Sequence, residues 1–217
     1  MSWASRAASN ILPLSIEQDK LAIALREWRY AGNCFDLNEP VEICELCDHP
    51  NIRYQFEIAN LRSGERLLIG SECINRFGIP ATDEEGRALN QDQTRRKVQK
   101  HKNRLIEESR KRSVINSLVD LSSKDDEFSI YNFIEYLQGR GAFTPNQMCL
   151  LIWRMEKNAI PHNPAHFKVI LRRDREKAQI WQMPDWKLNK ILPYLSTSQR
   201  EWLRRAETRR ANVLNSH

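Results

Sequence analysis

The feature that most constrains this chain is a pair of cysteines two residues apart, Cys44-Glu45-Leu46-Cys47, with a third, Cys73, following in Ile69-Gly70-Ser71-Glu72-Cys73-Ile74 after a hairpin-like segment. A C-x2-C turn and a thiolate on the first turn of a helix approach one point from two directions. Soft sulfur donors converging in this way are what a tetrahedral Zn2+ site requires. Three other readings compete. Free cysteine packs as a small hydrophobe, so unrelated buried thiols are common, but close spacing between polar neighbours argues against them. Disulfides fit poorly with an odd count of five and with no secretory signal legible at the start. A thioredoxin-like pair wants a βαβ context, and the pattern after Cys47 is a hairpin.

The fourth donor is open between two residues. Cys34 lies ten residues before Cys44 across the turn-rich Phe35-Asp36-Leu37-Asn38-Glu39-Pro40, and a loop there can fold it back to complete an all-thiolate site. His49 stands only two residues past Cys47, and ligation from there strains a turn whose amides normally point at the sulfurs. Cys34 is preferred. Cys149, in Met148-Cys149-Leu150-Leu151, reads as a helix-core residue, and His162 and His166 read as part of a capped turn beside Pro161 and Pro164. No H-E-x-x-H or deaminase-type signature accompanies the cysteines, and Glu72 reads as an acidic residue at a helix start. The metal is expected to be structural zinc, and the chain to be no enzyme.

Periodicity supplies the frame around the site. Ile16, Leu21, Ala24, Leu25 and Trp28 recur at helical spacing, which predicts a helix over 15–30, capped by Ser15 with Gln18 and ended by Gly32. Arg53 to Ile58 alternates at period two and Arg66 to Ile69 returns after Arg62-Ser63-Gly64-Glu65, a hairpin pattern. Gly70-Ser71 opens a short helix carrying Cys73, Ile74 and Phe77. Thr82-Asp83-Glu84-Glu85 resembles a capping box, from which a charged helix is expected to run toward Arg112 with a break near Gly86. Beyond Val114 the pattern is a helical bundle: Tyr131 to Leu137 stopped by Gly139 and Gly141, a second helix from Thr144-Pro145-Asn146-Gln147, and a last one capped by Ser196 and Gln199, with Trp202 and Leu203 inward and Arg204, Arg205, Arg209 and Arg210 outward. The tryptophans read as core anchors rather than base-stacking platforms. Asp125 and Asp126 read as a polar lead-in to the next helix. The expected fold is α+β: an N-terminal helix and a treble-clef-like zinc module over 1–80, a basic connecting helix over 81–112 and a helical bundle over 113–217.

Charge points to a partner. The chain carries a net +6, yet 87–112 alone holds ten basic residues against Asp92, Glu107 and Glu108, so the rest is close to neutral. A block of this kind is the footprint of a phosphate backbone, because each cation near a phosphate releases condensed counterions. Its thin apolar stripe of Val98, Leu105 and Ile106 lacks the face of a membrane-surface helix. Candidate nucleic-acid contacts are Arg95, Arg96, Lys97, Lys100, Lys102 and Arg104, with Arg172 and Arg173 as a second cluster.

The run Cys44-Glu45-Leu46-Cys47, Ile52 to Ile58, Asn60, Gly64, Leu67, Ile69-Gly70-Ser71, Cys73 and Phe77 resembles a zinc module of phage- and plasmid-borne proteins. With the basic middle and helical C-terminal part, the chain resembles the reduced, zinc-finger-bearing large subunit of type IV CRISPR effector complexes. The resemblance implies a nuclease-lacking, cytoplasmic, plasmid- or phage-encoded prokaryotic protein that sits beside the crRNA 5′ handle. It further implies contacts with the motif flanking the target DNA, help in holding opened DNA, and backbone and handle-binding subunits and a helicase as partners, with no membrane. The chain departs from a four-cysteine module in carrying Ser71 where a second cysteine beside Cys73 is expected. Two other classes stay open: a stand-alone phage or plasmid protein, either a replication or recombination accessory or a metal-dependent nuclease, and a zinc-stabilised protein-interaction adaptor.

Overall fold

The computed structural model describes residues 2–214, with side chains described for 2–206. The fold is α+β and divides into two compact units, Met1–Ser109 and Arg110–His217. No helix among the described residues is long and apolar enough to cross a membrane.

In the first unit, helix α1 (Trp3–Ile11) is capped by Ser2, whose hydroxyl accepts the Ser5 amide, and it buries Ala7 and Ile11. A short helix α2 (Leu21–Ala24) and one 3-10 turn lead into strand β1 (Trp28–Asp36). The helix expected over 15–30 is therefore shortened to Leu21–Glu27, with strand from Trp28 onward. Ser15 is a buried anchor instead: its hydroxyl donates to Ile11 O and accepts from Trp28 Nε1 at 2.9 Å. Gly32, expected as a helix stop, sits in β1 at φ +117°, where the pairing register shifts between Tyr30 and Cys34; side chains are strained there and glycine is not.

Strand β2 (Tyr54–Asn60) pairs antiparallel with β1 and with β3 (Arg66–Gly70), giving the order β1-β2-β3. Its alternation places Phe56 and Ile58 opposite Ile69 and Leu67, and Tyr30 opposite Ile58, on one face. Trp28, Tyr30, Phe56, Ile58 and Ile69 are fully buried there with Ile11, Ile74 and Val98. Burying each such side chain contributes roughly 1.5–3 kcal/mol. Helix α3 (Ser71–Arg76) leaves β3 directly.

Helix α4 (Gln91–Lys124) starts later than expected and runs further. Its cap is Asn90, whose Oδ1 accepts the Gln93 amide while Gln93 Oε1 accepts the Asn90 amide. Thr82 to Glu85 forms a loop in which Asp83 accepts from Arg87. Residues 81–109 thus belong to the first unit rather than to a separate connector, and the boundary falls within α4.

The second unit is helical: the remainder of α4, then α5 (Tyr131–Arg140), α6 (Pro145–Lys157), α7 (Asp174–Trp181), α8 (Asp185–Ile191) and α9 (Thr197–Leu214). Gly141 closes α5 in the left-handed conformation, and Thr144 with Gln147 forms the capping box of α6. Val114, Leu118, Leu121, Phe143, Met148, Leu151 and Leu203 anchor its core. Asp125 is no simple lead-in. Buried, it accepts from Arg154 Nη1 at 2.8 and 2.7 Å and from Asn158. His162 and His166 belong to the expected capped turn, bonded to Tyr194 Oη and Ser113 Oγ. Of the tryptophans, Trp28 is core and Trp181 packs on Trp202, but Trp3, Trp153 and Trp186 are exposed. Arg204 and Arg205 are exposed, while Arg209 and Arg210 lie outside the described side chains.

Candidate metal centre and nucleic-acid interface

Three backbone features shape the turn at Cys44 to Cys47. The Cys47 and Asp48 amides both bond to Cys44 O, at 3.2 and 2.9 Å, and Asp48 adopts φ +57°, which Asp tolerates better than most residues. The Cys44 amide returns to His49 O at 2.9 Å. Glu45 pins the turn to β3, its amide bonding Leu68 O and its carboxylate accepting the Leu68 amide. From the other side Asn10 of α1 donates to Leu46 O and to Asp48 Oδ1. The turn is therefore held by β3 and α1 together, and α3 delivers Cys73 to it.

The three thiols converge. Cys44 Sγ lies 3.6 Å from Cys73 Sγ, which lies 3.2 Å from Cys47 Sγ, and all three sulfurs fall within 4.8 Å of one another and are buried. Sulfurs about 2.3 Å from a tetrahedral zinc stand roughly 3.8 Å apart, whereas a disulfide needs about 2.05 Å. The cluster has the dimensions of a metal site, and these three residues can hold a metal ion. The environment favours thiolate at Cys44, whose pKa falls to about 5: the Cys73 thiol donates to it, and so do the backbone amides of Gly70, Leu46 and Cys47. Burial pushes Cys47 up, against a Cys73 hydrogen bond and a His49 amide directed at its sulfur. Cys73, bonded to both other sulfurs and buried, holds its proton most tightly. Amides aimed at sulfur stabilise the thiolate form that a metal needs.

Cys34 does not join this cluster. Strand β1 runs on through Asp36 before the chain turns, and Cys34 sits on it opposite Phe56 with its sulfur 3.6 Å from Arg104 Nη2. His49 does stand at the site. With Trp3, Arg53, Arg76, Lys102, Glu72 and the three cysteines it lines a cavity of about 370 Å3, its ring stacked on Trp3 at 5.7 Å. Around that cavity Arg76 lies over the Trp3 ring at 3.8 Å, Arg53 grips Asp36 and Ser109, and Lys102 donates to Ser71 Oγ. The role of Trp3 and α1 in walling the site is not apparent from cysteine spacing; Ser2 as a cap before Ala7 and Ile11 is the signal that finds that helix.

The basic residues of α4 divide in two. Arg95, Arg96, Lys100 and Arg104 are exposed, the last three forming a stripe at i, i+4, i+8. Lys97 and Lys102 are half-buried, with ammonium groups on Thr82 O and Ser71 Oγ. Asp83, Glu84 and Glu85 share an open cavity with Arg96, Lys97 and Lys100 and offset part of their charge. Under the stripe, Tyr30 Oη meets His101 Nδ1 at 2.6 Å; burial and the cations Arg104, Lys97 and Lys100 lower the His101 pKa. Arg172 and Arg173 are exposed in the other unit, where their amides donate to buried Glu176 at the start of α7.

No family model, curated protein or solved structure matches this chain. Fold and site define an α+β protein with a buried three-thiol cluster able to hold a metal ion.

Proposed function

We propose that the chain is a zinc-stabilised, non-catalytic nucleic-acid-binding protein, acting as a subunit of an RNA-guided effector complex of the type IV CRISPR class. The observation that carries the zinc is the convergence of Cys44, Cys47 and Cys73 with amides directed at two of the sulfurs. With Cys34 engaged at Arg104, His49 on the cavity wall is the fourth donor in this reading, although its ring nitrogens lie outside the three-thiol cluster and would have to turn toward it. Zinc held there would cross-link the turn and α3, and three thiolates with one imidazole would leave no open position for an activated water. The basic stripe Arg96-Lys100-Arg104 in the same unit supports contact with a phosphate backbone, which positions a protein on nucleic acid without reading its sequence. Specificity for a flanking motif would then come from few side chains, with guide pairing doing the rest.

The test is purification from the host followed by nucleic-acid extraction and protein identification. The effector reading expects a short RNA of uniform 5′ sequence and several co-purifying subunits. A chain that comes down alone and binds DNA directly is the stand-alone accessory protein, and one that binds a protein partner but no nucleic acid is the adaptor.

A further inference from the structure

Helix α6 turns Cys149, Leu150 and Trp153 toward one edge of α8, which answers with Trp186, Lys187 and Lys190 around a cavity of about 440 Å3. Two indoles share the lining of this one cavity. Trp153 is 47% exposed and Trp186 59%, so neither gains full burial from folding. Each ring has a cation over one face: Arg154 Cζ 5.2 Å and Lys157 Nζ 5.6 Å from the centroid of Trp153, and Lys187 Nζ 5.3 Å from that of Trp186. A stacking base would displace these cations or meet each ring from the opposite face. Lys190 pairs with Glu156 on the rim, and Lys157, Lys187 and Lys190 outnumber the neighbouring carboxylates Glu156 and Asp185.

We infer that this cleft between α6 and α8 binds an extended single strand of nucleic acid, two bases stacking on Trp153 and Trp186 while Lys187 and Lys190 hold the intervening phosphates. Three properties of the cleft select that occupant. Flat indole faces take any base, because every base has a π face, and stacking of this kind is tolerant of sequence. Lys187 and Lys190 line the cavity and Lys157 stands over Trp153, so charge complementarity favours a polyanion over an apolar helix of a partner protein. A duplex keeps its bases stacked on one another and offers these rings nothing. The inference shares with the proposed function only the class of partner: it concerns the second unit and does not depend on the metal or on the α4 stripe.

The experiment is fluorescence-anisotropy titration of the full-length protein with labelled oligothymidylate and with a duplex of the same length. Trp153→Ala and Trp186→Ala are each expected to weaken single-strand binding by about five- to a hundredfold, with duplex binding changed less than twofold. The Phe variants should retain most of the affinity, and Lys187→Gln with Lys190→Gln should flatten the salt dependence for the single strand. Thermal melting of each variant confirms that the fold is kept. A tryptophan effect that persists when the α4 stripe is neutralised supports the inference independently of that stripe. Unchanged single-strand affinity in both Ala variants, or equal losses for single strand and duplex, overturns it and leaves the cleft as a protein-docking face.

Discussion

Asn60 donates from Nδ2 to Glu27 Oε2 at 2.9 Å, and both residues are buried. Glu27 also accepts the Ile16 and Glu17 amides, and Asn60 Oδ1 accepts those of Arg62 and Ser63, so one pair ties the segment before β1 to the hairpin turn. The Asn60 bond, the two amides and Arg62 hold the Glu27 carboxyl below the usual range. A depressed carboxyl contributes stability that is present above its unfolded-state value, near 4.3, and is lost as pH falls through the lower folded-state value. Thermal midpoints measured from pH 7 downward should therefore fall more steeply for the native chain than for Glu27→Gln, which starts lower. Parallel curves would show that Glu27 does not titrate between the states.

Phe56 and Phe35 give a matched pair for the packing. Phe56 is fully buried, between Ile69 on one strand and Cys34 on the other, whereas Phe35 is 45% exposed. Phe56→Ala is expected to cost about 3–5 kcal/mol and Phe35→Ala under about 1 kcal/mol in urea unfolding. Similar losses from both would contradict the register of β1.

Contacts with phosphates are assigned to the exposed stripe. Replacing Arg96, Lys100 and Arg104 by Gln should weaken duplex binding regardless of sequence and reduce the salt slope by roughly 0.9 for each phosphate that is no longer neutralised. Lys97→Gln and Lys102→Gln, whose ammonium groups already serve Thr82 and Ser71, should change stability more than the slope. A slope insensitive to the stripe moves the interface elsewhere.

Asp125 serves the fold in this account, not chemistry. Asp125→Asn weakens the pairing with Arg154 and should lower the thermal midpoint of the protein. Incubation of the native chain with Mg2+ or Mn2+ and DNA should leave the DNA intact; cleavage abolished in the Asp125→Asn variant would reverse both statements.

How much of the molecule is legible in the sequence depends on which interactions are local. The hairpin and α3 are legible because period-two alternation, Gly64 in a turn and Gly70-Ser71 before Cys73 are short-range signals. β1 is not. Leu21, Ala24 and Leu25 fall at helical spacing and are helical, but Trp28 and Tyr30 share one face of a strand, and pairing with β2 ends the helical pattern at Trp28. Asn90 with Gln93 caps α4, yet Thr82 to Glu85 carries the same local signature and draws the expected start toward the earlier segment. The Cys44–Cys47 turn comes from local spacing and Cys73 from the hairpin pattern before it, while the position of Cys34 depends on strand pairing, which spacing does not encode. Exposure of Trp153 and Trp186 is likewise a property of how α6 meets α8, invisible in composition.

The central claim is the metal centre, and metal content per chain measures it most directly. Purified protein is expected to carry one Zn2+, with Co2+ substitution giving the visible spectrum of a tetrahedral thiolate site; Cys47→Ser should lose the metal and unfold the first unit, since metal binding of this kind is folding free energy. His49→Ala should weaken retention while Cys34→Ser leaves it unchanged. Protein that contains no metal, binds none when zinc is supplied, and still unfolds cooperatively through its first unit would contradict the account.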